Sequence, residues 1–397
     1  MSFFQRAQQL REIIVRDRRW IHQHPELSYH EYETTAYLVS QLTQAGIPVQ
    51  TFEDYTGCIA TIHGGHPGKT VLLRADIDAL PIQEETGLDF ASIYPGVMHA
   101  CGHDCHTAML LGAARLLWES RQNLHGTVKL LFQAAEEVFF GSHYYWDKGY
   151  LSDVDAAMGM HVWPTAPSGK LVVRDGPMMA SCDTFTITVR GVSAHGSRPD
   201  EGRDAVVAAS AIICNLQTIV SRFANPLEPL VVSVCTVHSG TEFNIIADTA
   251  VMEGTVRALS TQARQLAEPT MRRIVQDTAA AMGCTAELDY RFLEPVVCNQ
   301  NTSLNEIARN AARKLFGDEA LCQVQPAMGS EDFSYLMEKI PDSLFLFLGC
   351  YDEEQGCVHP IHNGKFRINE DILPVGAAQY ARFAADYLEQ SEGGGSL

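Results

Sequence analysis

Four short apolar runs in the first half of the chain constrain its fold more than any other feature. Each run ends in polar residues, and helical stretches separate the last three; the runs read CIATIHGG, TVLLRAD, TVKLLFQAAEE and AAMGMHV. Strands that are apolar almost throughout and alternate with helices are typical of a parallel sheet buried on both faces. The sequence therefore predicts an α/β domain built on a mostly parallel sheet.

The pattern changes near residue 183, where the segment TFTITVRGV alternates apolar and polar residues as a half-buried strand does. A helix, two strands, a second helix and a last strand follow, which makes a β-α-β-β-α-β unit of the split ferredoxin-like kind. The α/β pattern then resumes with the helix SLNEIARNAARKLF and the strand LFLFLGC. We therefore expect a small domain inserted into a large one, with divisions at 1–182, 183–293 and 294–391 and a flexible tail at 392–397.

Charge and composition argue against several classes of protein. The formal net charge is −19 without any Lys/Arg run, so we expect no nucleic-acid partner. The N-terminus lacks the unbroken apolar stretch of a signal peptide, and no window reads as the roughly 18 uncharged apolar residues of a membrane span. The 11 cysteines show no framework spacing, which indicates reduced thiols. These features predict a cytoplasmic protein without a membrane partner.

The densest group of chemically active residues is the segment MHACGHDCH, residues 98–106, directly before a helix. Histidine, cysteine and aspartate side chains are concentrated within these nine residues. Thiolate and imidazole are ligands that suit zinc and its neighbours. A polar loop with an incidental thiol is the alternative interpretation, but so many ligand-type residues at a sheet edge favour a metal site.

Further candidates follow the other apolar strands. Glu136 and Glu137 end the run LLFQAAEE, where the carboxyl edge of a parallel sheet forms ligand sites. One carboxylate can bind metal while the other acts as a base, although acids are also common at a helix start. The remaining residues of this kind are His161, His359, His362, Asp76 and Asp78. Each is a weak signal alone, but their convergence at one sheet edge predicts a single site.

Three residues of the small domain are also candidates. His195 lies in SAHGSRP, Asn244 lies in FNIIAD and Arg257 ends GTVR. Composition alone favours ordinary loop, turn and surface roles for them.

The segments already quoted, together with HVWP, GSEDF and HNGKF, occur in the order found in the metallo-aminoacylase family. The chain resembles most the branch of indoleacetyl-amino-acid hydrolases, hippurate hydrolases and N-acetyl-diaminopimelate deacetylases, over nearly its whole length. This resemblance implies a metallopeptidase-like catalytic domain with an inserted lid and dimerisation domain. It also implies a homodimer that hydrolyses the amide bond of N-acyl-L-amino acids.

The resemblance implies two divalent metal ions per subunit, with Cys101 bridging them. The implied ligands are Cys101, His103, Glu137, His161 and His362. Glu136 would be the unliganded general base, and Asp78 would orient a ligand. His195 would stabilise the oxyanion in the active site of the partner subunit, while Asn244 and Arg257 would hold the substrate carboxylate or the tetrahedral intermediate.

Some questions stay open at this point. The stretch after the paired glutamates, usually rich in glycine, reads VFFGSHYYW, so Phe139 and Phe140 either line a larger acyl pocket or pack the next helix. The ligand set suits zinc but also manganese, cobalt or nickel. A dipeptidase or aminopeptidase of the same fold is one alternative function. Another is a metal-independent thiol hydrolase with Cys101 as its nucleophile.

Overall fold

The computed structural model describes residues 1–393, which divide into two compact units. Unit 1 contains Met1–Gly176, Cys298–Gln325 and the C-terminal part from Tyr335, and unit 2 contains Pro177–Val297 and Pro326–Ser334. The domain boundaries expected from the sequence stay predictions, and the short segment that begins at Pro326 was not among them. The expected tail lies outside the described residues from position 394 onward.

The described residues form fifteen strands and ten α-helices, besides short 3-10 and π segments. The strands are β1 (Val49–Gln50), β2 (Cys58–His63), β3 (His66–Asp76), β4 (His125–Gln133), β5 (Ala156–Pro167), β6 (Leu171–Val172), β7 (Gly176–Met179), β8 (Cys182–Arg190), β9 (Ala194–His195), β10 (Leu230–Ser239), β11 (Ile245–Ile246), β12 (Thr249–Ala258), β13 (Thr285–Glu294), β14 (Val297–Asn299) and β15 (Ser343–Tyr351). The helices are α1 (Phe3–Gln9), α2 (Arg11–Gln23), α3 (Tyr32–Gln44), α4 (His103–Ser120), α5 (Gly141–Asp147), α6 (Ala205–Thr218), α7 (Thr261–Ala281), α8 (Thr302–Phe316), α9 (Phe333–Lys339) and α10 (Leu373–Gly393).

Unit 1 is built on a seven-stranded sheet in the order β1-β2-β4-β3-β5-β15-β6. Its four central strands, β4, β3, β5 and β15, are parallel to one another, and the outer strands pair antiparallel. The residues of β15 are buried from Ser343 to Cys350, which explains why this run is apolar. The predicted mostly parallel α/β sheet is confirmed, and the carboxyl ends of its central strands share one edge.

Helix α4 fixes one end of that edge. It follows Gly102, whose φ of 93° is left-handed and whose added Cβ would lie 2.4 Å from a methyl group of Val162, so only glycine fits there. The first turn is anchored by Asp104, which accepts from Nε of Arg18 at 2.7 Å and lies 2.9 Å from Nδ1 of His22. All three side chains are buried, so the start of α4 is held firmly in the core.

Unit 2 contains a four-stranded antiparallel sheet in the order β10-β12-β8-β13. Helices α6 and α7 pack against it and share its hydrophobic core. The chain order of these elements and their strand order are those of the ferredoxin-like β-α-β-β-α-β unit that the sequence predicts. Its action as a lid or a dimerisation domain stays a prediction.

One segment of unit 2 corrects the sequence analysis. Among the described residues, the helical stretch Ala205–Phe223 reaches the length and apolarity of a membrane span, contrary to the expectation that no window does so. Only 28% of this stretch is buried. Ala208 and Ile212 pack into the core, while Val206 and Val207 are exposed. The segment is therefore apolar on both its packed and its exposed face.

Candidate metal centre

The five expected metal ligands come from four places along unit 1. Cys101 and His103 lie before and at the start of α4, Glu137 follows β4, His161 lies in β5 and His362 follows β15. Because β4, β5 and β15 are parallel strands of one sheet, the residues near their carboxyl ends share an edge. His161 differs from expectation in one respect, since β5 continues beyond it to Pro167.

The structure brings all five side chains together. Sγ of Cys101 lies 3.4 Å from Nε2 of His161 and 3.3 Å from Nε2 of His362. Oε1 of Glu137 lies 3.6 Å from Nε2 of His362 and 3.8 Å from Nε2 of His103. The ligand atoms form two groups, Cys101 with His103 and His161, and Cys101 with Glu137 and His362, each within 4.8 Å. Cys101 is the residue that the two groups share.

Hydrogen bonds fix how two of these histidines face the cluster. Nδ1 of His103 donates to the backbone oxygen of Asp78 at 2.9 Å, and Nδ1 of His161 donates to the backbone oxygen of Val162 at 2.6 Å. In the neutral form of each ring, Nε2 then presents its lone pair to the cluster. A partner at the far nitrogen is the usual way in which a protein fixes a metal-binding imidazole.

The charges of the cluster are poorly balanced by the protein itself. Burial would lower the pKa of His103, but Asp76 and Asp78 outweigh it and raise the pKa to about 10. Burial raises the pKa of Glu137 to about 7, and burial with the adjacent Glu137 carboxylate raises the pKa of the Cys101 thiol. Burial lowers the pKa of His161. Four carboxylates, those of Asp76, Asp78, Glu136 and Glu137, lie between 3.2 and 3.9 Å from the imidazole of His103.

These features allow a test of whether a metal fits. Nε2 of His103 and Oε1 of Glu137 are buried and have no hydrogen-bond partner among the described residues. Buried polar atoms without a partner are costly, so each one in a folded protein requires an explanation. Nitrogen, thiolate and carboxylate ligands in this arrangement suit a divalent transition metal. The residues therefore fit a metal centre.

Glu136 lies beside the ligands and belongs to neither of the two groups that share Cys101. It is 6% exposed, and its Oε2 is 3.9 Å from Nε2 of His103. A three-residue 3-10 turn, Glu136–Val138, carries both glutamates, and Ala135 before it has a left-handed φ of 60°. This path directs two consecutive carboxylates into the same cluster instead of starting a regular helix.

Asp78 links the ligands to the backbone around them. Its Oδ1 is 3.2 Å from Nδ1 of His103, and its Oδ2 accepts from the backbone N–H of Glu137 at 3.0 Å. Ser28 donates its hydroxyl to the same oxygen at 2.7 Å. Asp78 therefore contacts both His103 and the backbone of Glu137, and its role in orienting a ligand stays a prediction. Ser28 was missed, because nothing in its loop signals the contact.

Asp76 and His106 form a support that the sequence analysis did not assign. Nδ1 of His106 donates to Oδ1 of Asp76 at 2.6 Å, and Nε2 accepts from the backbone N–H of Val162 at 2.8 Å. Arg74 donates to Oδ2 of Asp76 at 2.6 Å. Although Asp76, His103 and His106 also form a ligand-type group, the imidazole of His106 and the carboxylate of Asp76 are already hydrogen-bonded. The signal that could have placed His106 beside His103 is the three-residue spacing of these two histidines, which puts them on the same face of α4.

The aromatic stretch after the paired glutamates divides into two parts. Tyr145 is buried, and its ring neighbour Tyr144 stacks on Tyr55 with ring centroids 4.0 Å apart. These two residues pack the fold. Phe140 is 44% exposed and Phe139 is partly buried. Their contact with an acyl group stays a prediction.

The expected residues of unit 2 fall into two places. His195 is exposed in β9, paired with Ile245 of β11, and the backbone oxygen of Asn244 accepts from Gly196 at 2.7 Å. Arg257 lies on β12, where its Nη1 is buried without a hydrogen-bond partner among the described residues. His195 and Asn244 are thus neighbours on the surface of unit 2. The roles of all three residues stay predictions.

Three curated proteins show the relationships of the chain. An N-acetylcysteine deacetylase of Bacillus subtilis is 41% identical over 377 residues, which cover 95% of this chain and 97% of that protein. A thermostable carboxypeptidase of Saccharolobus solfataricus is 39% identical over 386 residues, covering 96% and 97%. An IAA-amino acid hydrolase of Arabidopsis thaliana is 40% identical over 400 residues, covering 99% and 89%.

A solved structure agrees with these relationships. The crystal structure of a dinuclear metal binding peptidase from Bacillus subtilis matches with a TM-score of 0.86 and 37% identity, over 96% of this chain and 99% of that one. Residues 72–386 match the model of peptidase family M20/M25/M40. The resemblance inferred from the motifs is therefore confirmed, and the chain is a member of peptidase family M20/M25/M40.

Proposed function

We propose that this enzyme hydrolyses the amide bond of N-acyl-L-amino acids and releases a carboxylate and a free amino acid. One observation carries the proposal: two adjacent carboxylates, those of the buried Glu136 and the partly buried Glu137, lie at a cluster of ligand atoms centred on Cys101. The related deacetylase and IAA-amino acid hydrolase, both about two-fifths identical to this chain, act on amides of this kind by name.

The ligand set supports two divalent ions per subunit, and the thiolate of Cys101, which both ligand groups share, would help to hold both of them. Zinc, manganese, cobalt and nickel all accept nitrogen, oxygen and sulfur ligands. Bound ions of this kind lower the pKa of a coordinated water to about 7 and polarise a carbonyl oxygen. Cys101, His103, Glu137, His161 and His362 would hold the ions, and the relative of known structure that is described as dinuclear supports that number.

The protein's own groups would move the proton and hold the substrate. Glu136 accepts the proton of the attacking water and then donates it to the leaving amine, as a general base and acid. Asp78 keeps His103 in the tautomer that presents Nε2. Arg257 and Asn244 bind the substrate carboxylate, and Phe139 and Phe140 contact the acyl group.

A homodimer and a cytoplasmic location also belong to the proposal. Exposed apolar residues lie on α6 and on β10, among them Val207 and Val237, and a second copy of the chain would cover them. All 11 cysteines are free, which suits a reducing compartment. His195 of the partner subunit would then stabilise the oxyanion of the reaction.

Mixing of variant subunits tests whether His195 acts in the active site of the partner subunit. Dimers that combine a His195→Ala subunit with a Glu136→Gln subunit contain one intact composite site. We therefore expect them to regain between a quarter and a half of the wild-type rate, while the homodimer of each variant stays near zero. Sedimentation and mass spectrometry confirm the mixed species. Verified mixed dimers without activity would rule out catalysis across subunits.

A carboxypeptidase is the second candidate, because the related Saccharolobus solfataricus protein carries that name. Its substrates share the free carboxylate of the released amino acid, so the same groups could hold them. A dipeptidase or aminopeptidase would instead need a group that binds a free α-ammonium. A panel of N-acetyl, N-benzoyl and longer N-acyl amino acids, N-blocked dipeptides and free dipeptides separates these activities.

We expect the N-acyl amino acids to give the highest kcat/KM in this panel, and EDTA to abolish the activity until divalent metal is restored. Preference for N-blocked dipeptides would favour the carboxypeptidase, and preference for free dipeptides would favour the peptidases. Full activity after the metal has been removed would favour the thiol hydrolase. The raised pKa of the buried Cys101 thiol already disfavours a free thiolate nucleophile.

A further inference from the structure

The paired carboxylates of Glu136 and Glu137 follow a backbone turn at Ala135 that alanine does not favour by itself. Ala135 is left-handed, with φ of 60° and ψ of 39°, a conformation that glycine adopts readily and other residues avoid. Phe139, directly after the turn, is left-handed as well, with φ of 71°. Such a path persists only where surrounding contacts impose it.

Side chains from other parts of unit 1 supply those contacts. The backbone N–H of Ala134 donates to the hydroxyl of Tyr145 at 3.2 Å, and that of Glu137 donates to Asp78 at 3.0 Å. Between them, the N–H of Ala135 donates to Oε1 of Glu31 at 2.8 Å. Of these three hydrogen bonds, the one to Glu31 is made by the left-handed residue itself.

Glu31 is an unusual group to find at this position. It is fully buried at the start of α3, and its second oxygen accepts from the hydroxyl of Thr56 at 2.6 Å. Burial and the neighbouring Asp78 raise the pKa of Glu31 to about 7. A buried carboxyl group is costly unless its oxygens are bonded, and here both bonds tie the start of α3 to segments beside the metal centre.

We propose that Glu31 is a positioning residue, which holds the left-handed turn at Ala135 and thereby directs Glu136 and Glu137 into the metal centre. Glu31 belongs to none of the ligand groups, and its carboxylate oxygens accept from Ala135 and Thr56. It acts on the reaction through the backbone of the turn. The inference rests on the proposed roles of Glu136 and Glu137.

Three variants of the metal-loaded enzyme test this role. Glu31→Ala removes the acceptor, and because small misplacements of catalytic groups are costly, we expect kcat to fall by about 10- to 100-fold with KM nearly unchanged. Glu31→Gln keeps an oxygen that accepts from the N–H of Ala135. The hydroxyl of Thr56 can change from donor to acceptor for the amide NH2 group, so we expect kcat within about threefold of wild type.

Glu26→Ala is the matched control. Glu26 lies in the same loop and also accepts two backbone N–H groups, those of Glu33 at 3.1 Å and Thr34 at 2.8 Å, but it does not hold the Ala135 turn. The Glu26→Ala substitution should therefore weaken the start of α3 and leave kcat close to the wild-type value. Should Glu31→Ala fail to fold, Glu31→Asp keeps a carboxylate that is one methylene too short for Ala135, and we expect the same fall in kcat.

Amide hydrogen exchange gives a readout that does not depend on turnover. We expect the peptide that spans Ala134 to Glu137 to exchange faster in Glu31→Ala, with or without metal, and to stay protected in Glu31→Gln and Glu26→Ala. Unchanged exchange and kcat in Glu31→Ala would overturn the proposal, as would an equal loss in Glu31→Gln. A wild-type enzyme without amidohydrolase activity would refute the proposed function instead, and the exchange measurement would still report on the turn.

Discussion

Replacement of Glu136 by glutamine is expected to lower kcat by about 100- to 10,000-fold, the range that a general acid–base group contributes. Glutamine has nearly the same shape but cannot accept a proton from the attacking water. Glu136 is buried and stands beside the ligand cluster, with Oε2 3.9 Å from Nε2 of His103. The loss should therefore arise in the chemical step and not in metal binding or folding.

The adjacent glutamate provides the matched comparison. Glu137→Gln alters a group whose Oε1 lies 3.6 Å from Nε2 of His362, so we expect it to lose metal as well as activity. Glu136→Gln should keep the full metal content by elemental analysis, with an unchanged circular dichroism spectrum. A Glu136→Gln enzyme that turns over at near the wild-type rate while fully loaded would remove Glu136 from its proposed role.

The second large effect concerns the thiol. Cys101→Ala is expected to reduce the metal content well below two ions per subunit and to abolish activity. Cys101 is the shared member of both ligand groups, with its Sγ 3.4 Å from one imidazole and 3.3 Å from another. Loss of a group that merely supports a ligand typically weakens metal binding by about 10- to 100-fold, so loss of a bridging ligand should weaken it further.

Cys105→Ala controls for the removal of a buried thiol. Cys105 lies four residues after Cys101, in the first turn of α4, and is fully buried, but it belongs to none of the ligand groups. We expect its alanine variant to keep wild-type metal content, with a small loss of stability at most. Unchanged metal stoichiometry in Cys101→Ala, or an equal loss in both variants, would contradict a bridging thiolate.

The sequence predicted the parts of this fold that depend on periodicity. The apolar run of β15 and the alternation in β8 differ because one strand is buried on both faces and the other on one. From strand polarity alone it follows that residues after parallel strands meet at one edge, which is why Glu137 and His362 could be expected near each other. Cys101 and His103 are two residues apart, so their proximity could be predicted without knowledge of the tertiary structure.

Other features depend on contacts between distant segments. Nothing in the local sequence marks Ala135 as left-handed, because glycine is the residue that usually signals this conformation. The side chain that holds Ala135 there belongs to Glu31, which lies more than a hundred residues away in the sequence. Ser28 reaches Asp78 in the same way. The exposed apolar face of α6 was missed because a count of uninterrupted apolar residues overlooks a helix that carries few charges.

Anomalous scattering from crystals of the metal-loaded enzyme tests the metal centre most directly. We expect two anomalous peaks per subunit, one beside His103 and His161 and the other beside Glu137 and His362, with Sγ of Cys101 at about 2.3 Å from both ions when the metal is zinc. A single peak that does not contact Cys101, or five ligand side chains that remain apart from any peak, would contradict a thiolate-bridged pair of ions.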